Sequence, residues 1–435
     1  MAIIYLETLG CAKNQVDSEV MLGYLTGAGH ALTTDPEAAE IIVVNTCAFI
    51  EEATRQAIET ILLLAAHKQS GACRQLIVCG CLPQRYKQEL LQELPEVDLF
   101  LGAGEYPRIA RHIEKLAAGK AGRKLYASRP AFLVQASSPR ELLAPGSSAY
   151  IKIAEGCSHR CTFCAIPSIK GPYRQRSAAS ITREAALLAR NGIREINLVS
   201  QDTTRYAGLP NLLKKLIGIP EIKWIRLLYC HPRNLTGETI RMLAGEEKLC
   251  SYIDIPLQHI ADPVLKRMGR RTSRKHIESL MSALRSAGPD IAIRTTFIVG
   301  FPGETDRDFE QLLAFAAGTQ FEHLGAFQYR DEEGTPGSRL GGKVPETIKR
   351  ERYRRLMRQQ APISRKKNRR FVRREIEVLV DGISPDENYS LQARSRFQAP
   401  EVDGVIYLND DVPIGAFARV RITKARTYDL VGKLV

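Results

Sequence analysis

From Ile3 to Phe327 the chain alternates short apolar runs with amphipathic segments, and this alternation limits the possible folds more than any other feature. In a first block, Ile3 to Leu9, Glu40 to Asn45, Leu76 to Cys79 and Asp98 to Leu101 read as buried strands. The segments near Val16 to Leu25, Ala53 to Ala66, Tyr86 to Leu94 and Pro107 to Leu116 have helical spacing. Strand and helix in turn imply a parallel sheet covered by helices. Gly119, Gly122, Ser137, Ser138, Pro139, Pro145, Gly146, Ser147 and Ser148 then punctuate a linker.

A second alternating block holds six strand candidates: Tyr150 to Ala154, Glu195 to Val199, Trp224 to Tyr229, Tyr252 to Ile255, Ala292 to Val299 and His323 to Phe327. Six strand–helix units are too few for a closed eight-stranded barrel and enough for a partial one. Farther on, Glu375 to Val380, Tyr389 to Arg394, Gly404 to Leu408, Ala418 to Thr423 and Asp429 to Lys433 read as short strands between Gly, Asp and Pro turns, which predicts a small all-β barrel. The expected class is α/β: a flavodoxin-like parallel-sheet domain at 1–140, a partial TIM-like (β/α)6 barrel at 148–342, a basic linker at 343–371 and a β-barrel at 372–435.

The formal charge of +14 is unevenly spread. Lys343 to Arg374 holds 14 Lys and Arg against Glu346 and Glu351, a net +12, whereas Glu375 to Val435 carries a net −3. The usual fate of such a run is a solvated Arg-rich helix packed beside the barrel. The first residues, MAIIYLETLGCAKN, lack a basic segment followed by an apolar core, and the run at Ile61 to Ala66 is far too short to span a bilayer. These features predict a cytoplasmic protein without a membrane partner. In a reducing compartment its ten cysteines point to metal ligands, catalytic thiols or buried small residues rather than disulfides.

Cys157, Cys161 and Cys164 form a C-x3-C-x2-C loop directly after a predicted strand. Three thiolates so close can wrap one small inorganic cluster. A zinc site would recruit a fourth Cys or His at similar spacing, and His159 inside the loop makes a Cys3His knuckle the competing assignment. With three cysteines, the fourth metal of a 4Fe-4S cluster stays free for a substrate or cofactor. Cys11, Cys47 and Cys81 each fall just beyond a predicted strand, and parallel strands end on one edge, where open α/β folds bind ligands. Cys79 lies on the same side as Cys81 by strand alternation and competes with it; the alternative for all of these is plain packing. Cys73, Cys230 and Cys250 read as packing residues.

C-x3-C-x-F-C, with Phe163 before the third cysteine, resembles the signature of radical S-adenosylmethionine (SAM) enzymes. LGCAKNQVDSE, VVNTCAFIEEA, CGCLPQRY, DIPLQHIADPVLKRMGR, TTFIVGFPGET and EEGTPGS extend the resemblance over essentially the whole chain to one group of them, the methylthiotransferases. The resemblance implies a 4Fe-4S cluster on Cys157, Cys161 and Cys164 that binds SAM and cleaves it to methionine and a 5′-deoxyadenosyl radical. It implies a second 4Fe-4S cluster on Cys11, Cys47 and Cys81 that receives the sulfur, one SAM serving as methyl donor and another as radical source, and an external electron donor. Phe163, Gln201, Asp202, Gln258, Arg294, Gly300 and Gly303 are the candidate SAM contacts, since strand ends on the active face supply such groups. Arg294 is the candidate for the SAM carboxylate, and Gly300 and Gly303 for close backbone approach to the adenine.

The family divides between tRNA adenosine and the β-carbon of an aspartate in a small-subunit ribosomal protein. LGCAKNQVDSE is similar to the LGC-x-KN-x-VDSE pattern of the ribosomal-protein branch, where tRNA enzymes show GCQMN, and FQYRDEEGTPGS resembles the F-x-Y-x-x-EEGT form of the same branch. Two positions depart from it: Ala12 stands where Pro is usual, and Arg330 where Ser is common. The last module resembles a TRAM domain, a barrel often used for RNA, yet its net −3 suits a basic ribosomal protein better, unless Arg394, Arg396, Arg419, Arg421 and Arg426 form one basic face. The expected enzyme is thus a monomeric aspartate methylthiotransferase acting on the free ribosomal protein or the assembling small subunit, and in the second case the basic run at 343–374 is also a contact for ribosomal RNA, compatible with its packing beside the barrel. A tRNA enzyme and a non-catalytic cluster- or zinc-bearing RNA-binding protein are the alternatives.

Overall fold

The computed structural model describes residues 1–120, 124–143, 146–288 and 290–435, so Gly122 and Pro145 of the expected linker lie outside the described residues. The first block builds a six-stranded, all-parallel sheet from Ile3–Thr8, Ala31–Thr33, Ile41–Thr46, Gln75–Gly80, Leu99–Gly102 and Leu125–Tyr126, numbered in that sequence and arranged in the order 2-1-3-4-5-6. Its edges are Ala31–Thr33 and Leu125–Tyr126, too short to show a period in the sequence. Ile41–Thr46, in the middle, is buried at every position, as parallel strands covered on both faces must be. The strand order reverses between Ile3–Thr8 and Ile41–Thr46, and beyond their carboxyl ends a crevice opens. The single helix expected over Tyr86 to Leu94 is instead two short ones, Cys81–Tyr86 and Glu89–Glu93, parted at Lys87, whose φ is 49°.

The second block forms the six parallel strands expected: Ser148–Lys152, Glu195–Val199, Trp224–Leu227, Tyr252–Asp254, Ala292–Val299 and His323–Gln328. They make two three-stranded halves, joined where the Cys250 N–H donates to the Ile225 carbonyl at 2.9 Å. Apolar side chains such as Ile151, Ile196, Leu198, Ile253 and Phe297 seal this open barrel against its helices. Glu375–Ile383, Leu391–Ser395, Ile406–Leu408, Phe417–Ala425 and Leu430–Leu434 close into a five-stranded barrel.

The small barrel docks where the large one begins. Trp224 starts its strand and meets Phe417 edge to face with ring centres 4.7 Å apart. Glu195 also starts its strand, and it is buried between Arg226 at 3.1 Å and Arg394 of the small barrel at 2.7 Å. The charged run becomes the helix Glu346–Arg369, which packs against His323–Gln328 and Asp306–Thr319. Lys349, Arg352, Leu356, Gln360 and Ser364 recur every third or fourth residue along its buried stripe. Arg352 anchors that stripe to Glu304 at 3.1 Å and to Asp306 at 2.7 Å.

The N-terminal sheet sits over the opposite mouth of the large barrel. Asp17 receives Lys152 at 2.6 Å and Lys170 at 3.1 Å, all three buried, while Arg140 reaches both Glu19 and Glu184. Glu332, from the EEGT stretch, accepts the Glu51 N–H at 2.9 Å and pairs with Arg85 at 3.0 Å. Arg330 pairs with Glu52 at 2.8 Å, which gives this departure from the branch pattern a partner. Buried ion pairs add little net stability, because desolvation offsets their attraction, but a misaligned pair is costly, so they hold the two sheets in one orientation.

Candidate active site

Two strand-end edges face each other, and all six predicted cysteines line the one cavity between them, a space of about 300 Å³. Cys11 follows the first strand as the N-cap of the helix Ala12–Gly27, Cys47 follows the third, and Cys81 opens the helix after the fourth. The Cys11 and Cys47 loops touch at Gly10, where φ is +104° and an added Cβ would lie 2.6 Å from the Cys47 Cβ. Asn14 ties these loops together by donating to the Leu9 carbonyl at 2.9 Å and the Thr46 carbonyl at 3.0 Å.

Cys79 takes the other direction, which corrects the alternation argument. Its Sγ lies 3.5 Å from the Met21 Sδ and 3.6 Å from the Val44 carbonyl, inside the core. Alternation stops at Gly80, where φ is +100° and the chain turns into a helix, so Cys81 obeys a different period. Cys73 and Cys250 are buried in the cores, while Cys230 packs there and also borders the cavity.

The thiols are too far apart for a single ion. Among the described residues only His159, Asp202 and His231 bring three ligand atoms of His, Cys, Asp or Glu within 4.8 Å of one another. Thiolates around a tetrahedral zinc stand about 3.8 Å apart. Wider spacing suits a polynuclear cluster. His159, the candidate fourth ligand of a zinc knuckle, instead has its Nε2 2.6 Å from Asp202. It also stacks on His231 at 4.1 Å between ring centres and 8° between planes, so the in-plane lone pairs of the two rings run parallel and do not converge on an ion. Burial pushes Cys81 and Cys164 up to about 12 and raises Cys47 and Cys157 as well, so these groups are neutral thiols until metal displaces their protons.

The candidate SAM contacts divide. Phe163, Gln201 and Gln258 line the cavity, and Phe163 meets Phe301 edge to face at 6.5 Å. The Oε1 atoms of Gln201 and Gln258 and the Nε2 of His231 are buried there without hydrogen-bond partners among the described residues. Three orphaned polar atoms on one wall are what a polar ligand would satisfy, so the cavity fits SAM on its own chemistry. Gln258 also has φ +72°, an unusual value for a residue with a side chain. Asp202 stands behind the wall, holding His159 and accepting from Asn234 at 2.7 Å.

Arg294, Gly300 and Gly303 are not brought to the cavity. Arg294 is the third residue of an eight-residue strand, near its amino end, and pairs with Asp254 at 3.1 Å and with Asp403 of the small barrel at 3.2 Å. An added Cβ would meet the Lys349 side chain at Gly300 and the Arg267 guanidinium at Gly303, so both glycines make room for side chains of this protein. The sequence reading missed Lys13, Lys170, Tyr229, His231 and Arg270, all of which line the cavity. Lys13 and Arg270 sit inside stretches that carried the resemblance, whereas Tyr229 and His231 are marked only by following a strand. Arg270 donates to the Pro256 carbonyl at 2.6 Å and lies 3.7 Å from the Cys161 Sγ. Burial lowers Lys13 against the pull of Cys11, Asp254, Glu155 and Cys47. A second cavity of about 420 Å³ shares Phe49, Phe163 and Gln258 with the first and runs past Phe327, which is 56% exposed.

Family models match the chain in three pieces: "Uncharacterized protein family UPF0004" over residues 3–102, the radical SAM superfamily over 151–316 and the TRAM domain over 372–435. Among solved structures, the radical SAM methyltransferase TsrM from Kitasatospora setae is similar in fold, with TM-score 0.59 and 17% identity over 78% of this chain and 75% of that one. The ribosomal protein uS12 methylthiotransferase RimO of Geotalea uraniireducens is 48% identical over 99% of this chain and 98% of its own length. That of Geobacter sulfurreducens is 47% identical over the same shares. Two cysteine trios on facing strand ends and full-length likeness to these enzymes agree, and the chain belongs to the RimO family of radical SAM methylthiotransferases.

Proposed function

We propose that this protein places a methylthio group on the β-carbon of an aspartate in the small-subunit ribosomal protein uS12. The observation that carries this is the single cavity into which both cysteine trios face, which allows radical formation and sulfur delivery at one carbon. When bound, a cluster on Cys157, Cys161 and Cys164 supplies the electron that cleaves SAM, and a cluster on Cys11, Cys47 and Cys81 supplies the site for sulfur. The protein contributes binding and exclusion of water. Arg270, beside Cys161, takes the part first assigned to Arg294 as partner of the SAM carboxylate. Gln201 and Gln258 offer unpaired acceptors to its N–H groups. Phe49, Phe163 and Ile166 give the cavity apolar walls that keep water from a reactive intermediate.

The substrate chain enters through the neighbouring cavity past Phe327. The divisions at 1–140, 148–342, 343–371 and 372–435 then correspond to sulfur delivery, SAM cleavage, a basic contact and a docking barrel. Arg350, Arg354, Arg358, Arg365 and Arg369 are exposed on the long helix without ion-pair partners among the described residues, a stripe suited to phosphates of the small subunit. On the small barrel, Arg394 is buried against Glu195, Arg396 donates to the Glu247 carbonyl at 2.7 Å, and Arg421 and Arg426 pair with Glu375 and Asp386, which leaves Arg419 exposed without an ion pair among the described residues. We place the protein in the cytoplasm as a monomer served by an external electron donor.

Anaerobic turnover with SAM, sulfide and reductant, offering the uS12 target peptide and unmodified tRNA in parallel, tests the proposal. Mass spectrometry is expected to find the methylthio adduct on the peptide alone. An adduct on the tRNA alone would assign the protein to the other substrate class.

A further inference from the structure

Among the described residues one cation in the cavity, Lys13, has no anionic partner in contact. Lys13 is buried, 8% exposed, and lines the wall with Cys11 and Cys47. The other cations there are engaged: Lys170 pairs with Asp17 at 3.1 Å, and Arg270 is held by the Pro256 carbonyl at 2.6 Å. Among the described residues Lys13 has no ion pair and no hydrogen bond, and its Nζ stands 3.1 Å from the centre of the Tyr229 ring. Attraction to a ring face is small beside the cost of desolvating an ammonium, so a carboxylate entering the cavity would give Lys13 the ion pair it lacks among the described residues. The ring itself is held with effort. Tyr229 has φ +58°, strained for a bulky residue, and its N–H is fixed to the Asp254 carboxylate at 2.9 Å. A strained, anchored aromatic beneath it sets the position of the Lys13 Nζ in the cavity wall.

We propose, resting on the aspartate reading of the substrate, that Lys13 selects the target side chain by pairing with its carboxylate. The carboxylate carbon is bonded directly to the β-carbon, so fixing the one orients the other within the cavity between the two trios. Arg270 lies next to Cys161 and suits the SAM carboxylate, which leaves Lys13, next to Cys11 in the chain, for the second carboxylate in the site.

The test compares holoenzyme with Lys13, Lys13→Arg and Lys13→Met on two uS12 peptides, one with the target Asp and one with Asn in its place. Peptide Kd is read by calorimetry, with iron content and SAM Kd measured on the same samples. Wild-type protein is expected to prefer the Asp peptide by at least about 10-fold, as loss of one charged partner in a desolvated site implies. Lys13→Met is expected to weaken Asp-peptide binding about 10- to 100-fold and abolish the preference, with iron content and SAM Kd unchanged, while Lys13→Arg keeps the preference. The wild-type ratio needs no variant, and a ratio near one overturns the proposal. So does a Lys13→Met protein that still prefers Asp, or one whose change is confined to iron content or SAM Kd, which would assign the charge to a cluster or to SAM. If the wild type methylthiolates tRNA and neither peptide, the aspartate reading itself has failed and the role of Lys13 falls with it.

Discussion

Cys79 and Cys81 are separated by one glycine, yet one faces the core and the other the cavity. Cys81→Ala is expected to release about half of the bound iron, since one of two clusters loses a ligand. Cys79→Ala is expected to keep all of it at a cost of about 1 kcal/mol for the lost packing. Iron assay with electron paramagnetic resonance decides between them, and the reverse pattern would make Cys79 the ligand. The two trios differed in how legible they were. Cys157, Cys161 and Cys164 declare themselves by local spacing, whereas Cys11, Cys47 and Cys81 become a set only once parallel strands are seen to share an edge. Arg294, Gly300 and Gly303 were misjudged for a matching reason: membership of a barrel strand or its loop does not say which end, or which neighbour, a side chain serves.

At the scale of elements, the long basic helix is packed on one side and solvated on the other. Its stripe from Lys349 to Ser364 is packed against the barrel, and its outer face keeps an arginine ladder in solvent. Replacing Arg354, Arg358 and Arg365 together by Glu is expected to weaken association with the small ribosomal subunit while leaving turnover of the isolated peptide nearly unchanged. The dependence of log affinity on log salt should lose about three units of slope, close to one per phosphate contact. Binding isotherms at several salt concentrations read this directly. Unchanged affinity and slope would leave the helix as a solvated strut. The helix was visible in the sequence as a charge run, but which arginines are free was not, because Arg352 and Arg355 look the same in sequence and are consumed by Glu304, Asp306 and Glu310.

At the scale of the molecule, the small barrel stoppers the mouth of the large one opposite the cavity, and the only tryptophan in the chain, Trp224, reports that contact through Phe417. Glu195→Gln leaves Arg226 and Arg394 buried with half their partner gone, at an expected cost of about 3–5 kcal/mol. The Trp224 emission should shift to the red and the urea midpoint should fall. Acid should act at the same place. Burial works to raise Glu195, but Arg394 and Arg226 outweigh it and hold the carboxyl at about 2, below its ordinary 4.5. The stabilisation is therefore complete above pH 4.5 and is lost as the pH falls toward 2. Emission that is identical in wild type and Glu195→Gln across that range would mean that packing alone holds the barrels together.

The amino-acid sequence by itself determined the parts: six strands of a partial barrel, a parallel sheet before it, a β-barrel after it, and a three-cysteine loop built for a cluster. Each of these rests on a period of two or 3.6 residues or on a spacing within a few positions, and such regularities survive without knowledge of neighbours. Only the tertiary structure decided that the two sheets meet mouth to mouth, that Cys79 turns away, that Arg294 serves the far end, and that Lys13 lies against the Tyr229 ring with no ion pair or hydrogen bond among the described residues. Whether a charge is paired depends on every group within a few ångströms of it, and most of those groups lie dozens or hundreds of residues away along the chain.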